Sequence, residues 1–148
     1  MLNKERERDD GGPVLGDQRF GAMSLTREVI GPPVEAVDRS ASMIVRGGDF
    51  LFVSGLSATD PKSGEPVRST TATETRCILE NLKRTLEAAG SSLDKIVKVN
   101  VLLHSMLEAP NMNEVYARFF PVAPPARTVC GARLPRGAKV IIECTALA

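Results

Sequence analysis

The sequence has few of the residues that build metal, redox and disulfide sites. Among its 148 residues there are three cysteines, one histidine and no tryptophan. Cys77, Cys130 and Cys144 are odd in number and widely spaced, which indicates reduced thiols rather than a disulfide framework or a zinc site. Because the single histidine, His104, has no ligand set near it in the sequence, we predict no metal site.

Strong charge of one sign is also missing. Nineteen basic and eighteen acidic side chains leave a net charge of +1, so the chain as a whole has no field that attracts polyanions. One acid-free stretch carries five spaced basic residues, which are Arg118, Arg127, Arg133, Arg136 and Lys139. Without interleaved exposed aromatic side chains, such a stretch favours a solvated rim over an RNA groove. We therefore expect no nucleic-acid partner.

Long hydrophobic runs are absent from the sequence. No apolar run approaches the roughly 18 residues that a membrane helix needs, and the polar start Met1–Asp10 has no signal-peptide core. These absences predict a cytoplasmic protein without a membrane partner. With 43% hydrophobic residues, the chain has enough apolar side chains for the core of one domain.

The beginning of the chain differs from the rest in composition. Charged residues, the Gly11-Gly12-Pro13 turn signal and little periodicity are typical of a tail. We therefore assign residues 1–31 to an N-terminal extension, flexible at least to about residue 19. Residues 32–148 are predicted to form a single domain.

Hydrophobic periodicity predicts seven regular elements in that domain. The first helix has the clearest signals: Thr71 and Glu74 match a capping box, and Gly90 follows its predicted end. The predicted elements, in chain order, are strands at Met43–Arg46 and Phe50–Ser54, a helix at Thr71–Ala89, a strand at Ile96–Leu103, a helix from about Pro110 to Phe120, and strands at Arg127–Leu134 and Lys139–Ala146. This ββαβαββ order predicts an α+β domain with a mixed sheet and both helices on one face.

Arg127 and Glu143 are the leading candidates for a functional site. An arginine offers a planar fork of donors that fits a small carboxylate, and a half-buried glutamate can orient water or move a proton. Alternation along the last two strands predicts Thr128, Cys130 and Cys144 beneath the helices and Arg127 and Glu143 together on the opposite face. That face also carries apolar residues, which favours an oligomer interface that shelters a polar pocket.

Seven motifs in order resemble the RidA family, also called the YjgF or L-PSP endoribonuclease family. The resemblance covers the chain from about Gly31 onwards. The motifs are Phe52-Val53-Ser54-Gly55, Pro61-Lys62-Ser63-Gly64-Glu65, Thr75-Arg76-Cys77-Ile78-Leu79-Glu80-Asn81-Leu82, Glu87-Ala88-Ala89-Gly90-Ser91-Ser92, Asn113-Glu114-Val115-Tyr116, Pro125-Ala126-Arg127-Thr128 and Arg133-Leu134-Pro135. The resemblance implies a chorismate-mutase-like fold and a homotrimer with pockets between subunits.

The resemblance also implies an activity. Family members with this Pro-Ala-Arg arginine typically hydrolyse reactive enamines and imines, such as 2-aminoacrylate, to 2-oxo acids and ammonia without a cofactor. By motif match, Arg127 would bind the substrate carboxylate, and Glu143 would handle water or a proton. Ser54 and Asn113 would bind substrate, and Cys130 would approach the pocket if a bulge reversed the alternation of its strand.

The chain departs from the family pattern at several positions. Ala41 stands where many members have a tyrosine, Leu56 where glutamine is common, and Ile141 where an acid is frequent. The run from Arg127 to Leu134 is one residue shorter than in the best-known members. These departures keep open a non-catalytic trimer that binds small metabolites or partner proteins. A ribonuclease or translation inhibitor is a third reading, for which the sequence offers no base, nucleophile or strong phosphate-binding array.

Simpler roles also remain open for each candidate residue. Arg127 and Glu143 could be interface ion-pair partners, Ser54 could end a strand, and Asn113 could form hydrogen bonds at a helix start or an interface.

Overall fold

A computed structural model of the chain describes residues 26–31 and 40–148. In these ranges a mixed sheet of six strands has the order β1-β2-β3-β6-β4-β5, and two α-helices accompany it. The elements are β1 Arg27–Ile30, β2 Ile44–Gly47, β3 Phe50–Leu56, α1 Thr71–Ala88, β4 Ile96–Leu103, α2 Ala109–Phe119, β5 Ala126–Gly131 and β6 Val140–Leu147. Only the β4–β5 pair is parallel among the strand pairs of this sheet. The predicted α+β class is confirmed.

Strand β1 was not predicted from the sequence. It pairs antiparallel with β2, with Ile30 opposite Ile44, although it lies in the segment assigned to the N-terminal extension. Its first three residues are exposed, so it has no apolar alternation that would reveal it as a strand. Residues 1–19, for which flexibility was predicted, lie outside the described residues.

The predicted hairpin at the start of the domain is confirmed. Strands β2 and β3 pair directly, with Gly47 opposite Phe50. Gly48 in the two-residue connection has φ +58°, a backbone conformation that glycine adopts without steric cost.

The start of α1 differs from the predicted capping box. Thr70, not Thr71, caps the helix, and its Oγ1 accepts a hydrogen bond from Thr73 N–H at 3.1 Å. Glu74 is fully buried, and its two carboxylate oxygens accept from Ser69 N–H at 3.1 Å and Lys139 N–H at 2.9 Å. The Glu74 side chain therefore joins the beginning of α1 to the residue that precedes β6.

One face of the sheet packs against the helices. Fully buried residues alternate along β4 and β6, where Val99, Val101, Val140 and Ile142 meet apolar residues of α1 and α2 in one core. The opposite face, called here the open face, carries more exposed side chains that are paired across the strands, which are Val45, Phe52, Lys98, Asn100, Leu102, Ile141, Glu143 and Thr145. The prediction for β6 is confirmed, since Cys144 is buried and Glu143 lies on the open face.

Candidate functional site

Arg127 lies on the helix-covered side of β5. It is in register with Val99 of β4, and Val129 is in register with Val101. Because partners in register share a face, both residues point the same way as the buried valines. The Arg127 guanidinium carbon is 4.5 Å from the centroid of the Tyr116 ring in α2. The predicted alternation of β5 was therefore wrong.

The reversal has a physical reason in the position of β5 at the sheet edge. Its residues are almost all exposed, so burial does not separate its two faces. The parallel register with β4 decides the orientation instead. Thr128 consequently lies on the open face, where its hydroxyl accepts from the Lys98 ammonium at 2.7 Å.

Cys130 also lies on the open face. It is exposed and in register with Leu102 of that face. The structure therefore separates Cys130 from Arg127.

The Arg127 side chain borders a cavity of about 330 Å³, called here the arginine pocket. Its lining residues are Asn113, Tyr116, Ala117, Phe120, Pro124, Pro125 and Arg127. Asn113 is exposed and follows the first turn of α2, which begins at Ala109, so it is not a helix-start residue. The structure thus brings together two of the predicted site residues, Asn113 and Arg127.

Among the described residues, no carboxylate holds the Arg127 guanidinium in place. Its Nη1 contacts the Met112 sulfur at 4.0 Å, and within residues 26–31 and 40–148 it forms no ion pair. The other hydrogen-bond donors of the guanidinium are therefore available to an anionic ligand on the pocket side.

Tyr116 was missed as a site residue by the sequence reasoning. It is buried, its ring centroid lies 4.6 Å from that of Phe120, and its hydroxyl has no hydrogen-bond partner in the described part of the chain. Burial raises the pKa of Tyr116 to about 12, while the positive charge of Arg127 acts in the opposite direction. The sequence did carry a signal for Tyr116. It lies three residues after Asn113, so a helix places the two side chains next to each other on one face.

Glu143 borders a second cavity, on the open face, with a volume of about 260 Å³. This glutamate pocket is lined by Ser42, Val45, Phe52, Val53, Ser54, Lys98, Asn100, Glu143, Cys144 and Thr145. Glu143 Oε1 accepts from the Asn100 amide at 2.8 Å, and the Ser54 hydroxyl donates to the Ser42 carbonyl at 2.7 Å. Ser54 and Glu143 therefore line one pocket, on the face opposite Arg127.

Lys98 and Asn100 were also missed. They alternate with buried apolar residues along β4, and this alternation was the signal that placed them on the open face. They add an ammonium and an amide to the pocket of Glu143.

The positions that depart from the family pattern have defined places in the structure. Leu56 is half-buried and packs against the core. Ile141 lies on the open face, where its Cγ2 would be 2.8 Å from a Cβ added at Gly55. Ala41 is exposed, and the adjacent Ser42 lines the glutamate pocket.

Besides Arg127, two of the five basic residues near the C-terminus bond to other described residues through their side chains. Arg118 forms an ion pair with Glu114 at 2.7 Å, and the Lys139 ammonium donates to the Ser69 carbonyl. In the part of the chain that the structure describes, no helix is long and apolar enough to cross a membrane.

The six-stranded mixed sheet with two helices on one face defines an α+β protein of the Rid type. RidA from a Psychrobacter species superposes with a TM-score of 0.74 and 30% identity, covering 82% of this chain and 99% of that chain. Yeast Mmf1 superposes with a TM-score of 0.75 and 32% identity, covering 82% and 98%.

Sequence comparison identifies the family. The family model described as Endoribonuclease L-PSP matches residues 35–148, so the chain belongs to the L-PSP endoribonuclease, or RidA, family. A RutC family protein of Pyrococcus horikoshii is 44% identical over 108 residues, 72% of this chain and 84% of that protein. The chloroplastic Reactive Intermediate Deaminase A of Arabidopsis thaliana is 30% identical over 136 residues, 90% of this chain and 73% of that protein.

Proposed function

We propose that this protein is a cofactor-independent deaminase that hydrolyses small reactive enamine and imine acids, such as 2-aminoacrylate, to 2-oxo acids and ammonia. The observation that carries the proposal is the Arg127 guanidinium, which faces a cavity with no carboxylate bound to it among the described residues. The similarity to a plant protein named for reactive intermediate deamination supports the same activity.

The reaction requires substrate binding and one correctly placed water molecule rather than a strongly reactive catalytic side chain. Arg127 binds the substrate carboxylate through two charge-assisted hydrogen bonds, each contributing about 1.5 to 3 kcal/mol in a sheltered site. A proton from solvent adds to the enamine carbon and yields the iminium. Water then adds to the iminium carbon, and the resulting carbinolamine expels ammonia while its hydroxyl returns a proton to solvent, which leaves the 2-oxo acid.

Glu143 moves the proton that passes from the attacking water to the departing nitrogen. Its carboxylate takes a proton from the attacking water and returns it to the departing nitrogen. Ser54 donates its hydroxyl proton to the Ser42 carbonyl, so its oxygen lone pairs remain to accept from the iminium N–H. Asn113 lies beside Arg127 and contacts the carboxylate end.

A single chain holds these groups on opposite faces of its sheet, so we propose that a homotrimer completes the site. The arginine pocket of one subunit would meet the glutamate pocket of its neighbour. The open face supports an interface there because three of its apolar side chains are solvent-exposed. Phe52 is 50% exposed, Phe50 40% and Leu147 42%, and an exposed apolar patch of this kind favours association.

The activity is tested by ammonia release from freshly generated 2-aminoacrylate. Wild-type protein should accelerate release over the uncatalysed reaction. Arg127→Lys should lower kcat/KM by about 10- to 100-fold, because the ammonium keeps the charge and loses the fork. Arg118→Lys is the matched control, since Arg118 pairs with Glu114 outside both pockets. No acceleration by wild type, or full activity in Arg127→Lys, would refute the proposal.

A second candidate is a trimer that binds 2-oxo acids or related metabolites without turnover. Ile141, two residues before Glu143 on the open face, leaves an apolar side chain where the family often has an acid. Binding of pyruvate without ammonia release would favour this candidate. In either case we propose a cytoplasmic protein that acts on small molecules rather than nucleic acid.

A further inference from the structure

We propose that Tyr116 is the positioning residue for the carboxylate-binding arginine, which rests on the proposed function of Arg127. Arg127 is an exposed residue on the edge strand β5, and a long side chain in such a place ordinarily samples many rotamers. Here two residues one turn apart on α2, Met112 and Tyr116, contact its guanidinium.

The type of group that holds the Arg127 guanidinium decides whether its donors can bind a substrate carboxylate. A carboxylate partner would hold the guanidinium by occupying the same donors that a substrate needs. An aromatic ring instead attracts the cation through its face. The N–H donors at the edge of the guanidinium plane then remain free to bind a ligand. The 4.5 Å separation between the Arg127 guanidinium carbon and the Tyr116 ring centroid fits such an interaction.

The supporting ring is itself held in place. Tyr116 is only 5% exposed, and its ring packs against Phe120 at a centroid distance of 4.6 Å and an interplanar angle of 34°. The neighbouring Val115 and Met112 are buried in the same helix. Arg127 therefore rests on a fixed surface rather than on a mobile one.

The ring and not the hydroxyl of Tyr116 performs this role. The hydroxyl oxygen is inaccessible to solvent and has no partner within the described ranges, so it does not reach a ligand in the arginine pocket. Phenylalanine should consequently replace Tyr116, whereas an aliphatic residue should not.

The test measures pyruvate binding by calorimetry, which does not depend on turnover. Tyr116→Leu should weaken pyruvate binding by roughly 3- to 30-fold, the range expected for a cation–π interaction. Tyr116→Phe should stay within about twofold of wild type. Pyruvamide, which lacks the carboxylate, should bind wild type and Tyr116→Leu equally.

Two further variants separate positioning from general damage. In an Arg127→Lys background, Tyr116→Leu should have little additional effect on pyruvate binding, because the fork it positions is already gone. Phe119→Leu is the matched control, since it removes a ring from the same helix that lines a different cavity. If Tyr116→Leu does not fold, Tyr116→Met keeps apolar volume without an aromatic face.

Several results would overturn the proposal: equal losses for pyruvate and pyruvamide, additive losses with Arg127→Lys, or a Tyr116→Phe variant as weak as Tyr116→Leu. Absence of pyruvate binding to wild type would also overturn it. Pyruvate binding without ammonia release would instead count against the deaminase alone, and the binding comparison would still decide the role of Tyr116.

Discussion

Arg127 and Glu143 lie on opposite faces of one sheet. Arg127 is in register with the buried Val99 and stacks on Tyr116 of α2, whereas Glu143 is in register with Asn100 on the open face and bonds to its amide. Two side chains that would act on one small substrate are thus separated by the sheet of their own chain. A second subunit is the simplest way to bring an arginine and a glutamate to the same molecule.

If the proposed homotrimer forms, mixed trimers should recover activity that neither parent variant has. Co-expression of Arg127→Ala and Glu143→Ala chains at equal levels should leave about a quarter of the sites with both residues intact, because each site takes one residue from each of two chains. Ammonia release from 2-aminoacrylate measures the recovery. If both residues served the same site from one chain, the mixture would remain as inactive as its parents.

Gly55 should resist substitution because of Ile141. A Cβ at residue 55 would lie 2.8 Å from Ile141 Cγ2, so Gly55→Ala should lower the free energy of unfolding by about 1 to 3 kcal/mol. In an Ile141→Ala background the same change should cost much less. Urea denaturation at one protein concentration measures both.

Gly131→Ala is the control for this prediction, since its Cβ would meet the exposed and flexible Met106 side chain at 3.3 Å. An equal cost of Gly55→Ala with and without Ile141 would contradict the steric explanation.

The buried carboxylate of Glu74 should be a major contributor to stability. Glu74→Ala leaves the N–H groups of Ser69 and Lys139 without their acceptors, which should cost about 2 to 4 kcal/mol in urea denaturation. Glu74→Gln should fall between this variant and wild type, because it keeps one acceptor oxygen. For comparison, Glu87→Ala breaks only an exposed pair with Lys83 at 3.9 Å and should cost less than about 0.5 kcal/mol. Equal losses for Glu74→Ala and Glu87→Ala would refute the role of Glu74.

Stability should fall at alkaline pH partly through Cys144. Burial, aided by the nearby Glu143 charge, raises the pKa of the Cys144 thiol from 9.0 to about 12. The unfolded chain therefore loses this proton first, so the contribution of the neutral thiol is complete below pH 9.0 and disappears as pH rises through about 12. Urea midpoints between pH 8 and about 11 should decline less steeply for Cys144→Ala than for wild type.

Tyr116, whose pKa burial raises to about 12, adds to the same decline and should remain as the residual slope in Cys144→Ala. Cys77→Ala, which removes a half-buried thiol, serves as the control. An unchanged slope in Cys144→Ala would show that its thiol is not the group responsible.

Much of the fold was predictable because local signals and burial agree. The hairpin of β2 and β3 follows from glycines between two apolar runs, and β6 follows from an alternation in which one set is wholly apolar and buried. The family and its α+β class followed from motif order. The start of α1 at Thr71 was predicted correctly, but its cap was misplaced by one residue. Thr70 and Thr71 are both good caps, and in the structure the Thr70 hydroxyl accepts from Thr73 N–H.

The sequence named four residues that line the two pockets, missed Tyr116, Lys98 and Asn100, and did not give the arrangement of the pockets. Asn113 with Arg127, and Ser54 with Glu143, line two separate pockets. Cys130, predicted beneath the helices, lies on the open face instead. Along the sequence, Arg127, Thr128, Val129 and Cys130 give no clear apolar set. The sheet face on which Arg127 lies is then set by the pairing of β5 with β4.

The sequence by itself determined the order of seven of the eight described strands and α-helices, the family, and the candidate pair of Arg127 and Glu143. Periodicity and motifs are local properties, and they persist in any arrangement of the elements. Only the tertiary structure decided that Arg127 rests on the Tyr116 ring and that Glu143 bonds to Asn100 across the sheet from it. Both contacts depend on strand register and helix packing, which join residues far apart in the chain.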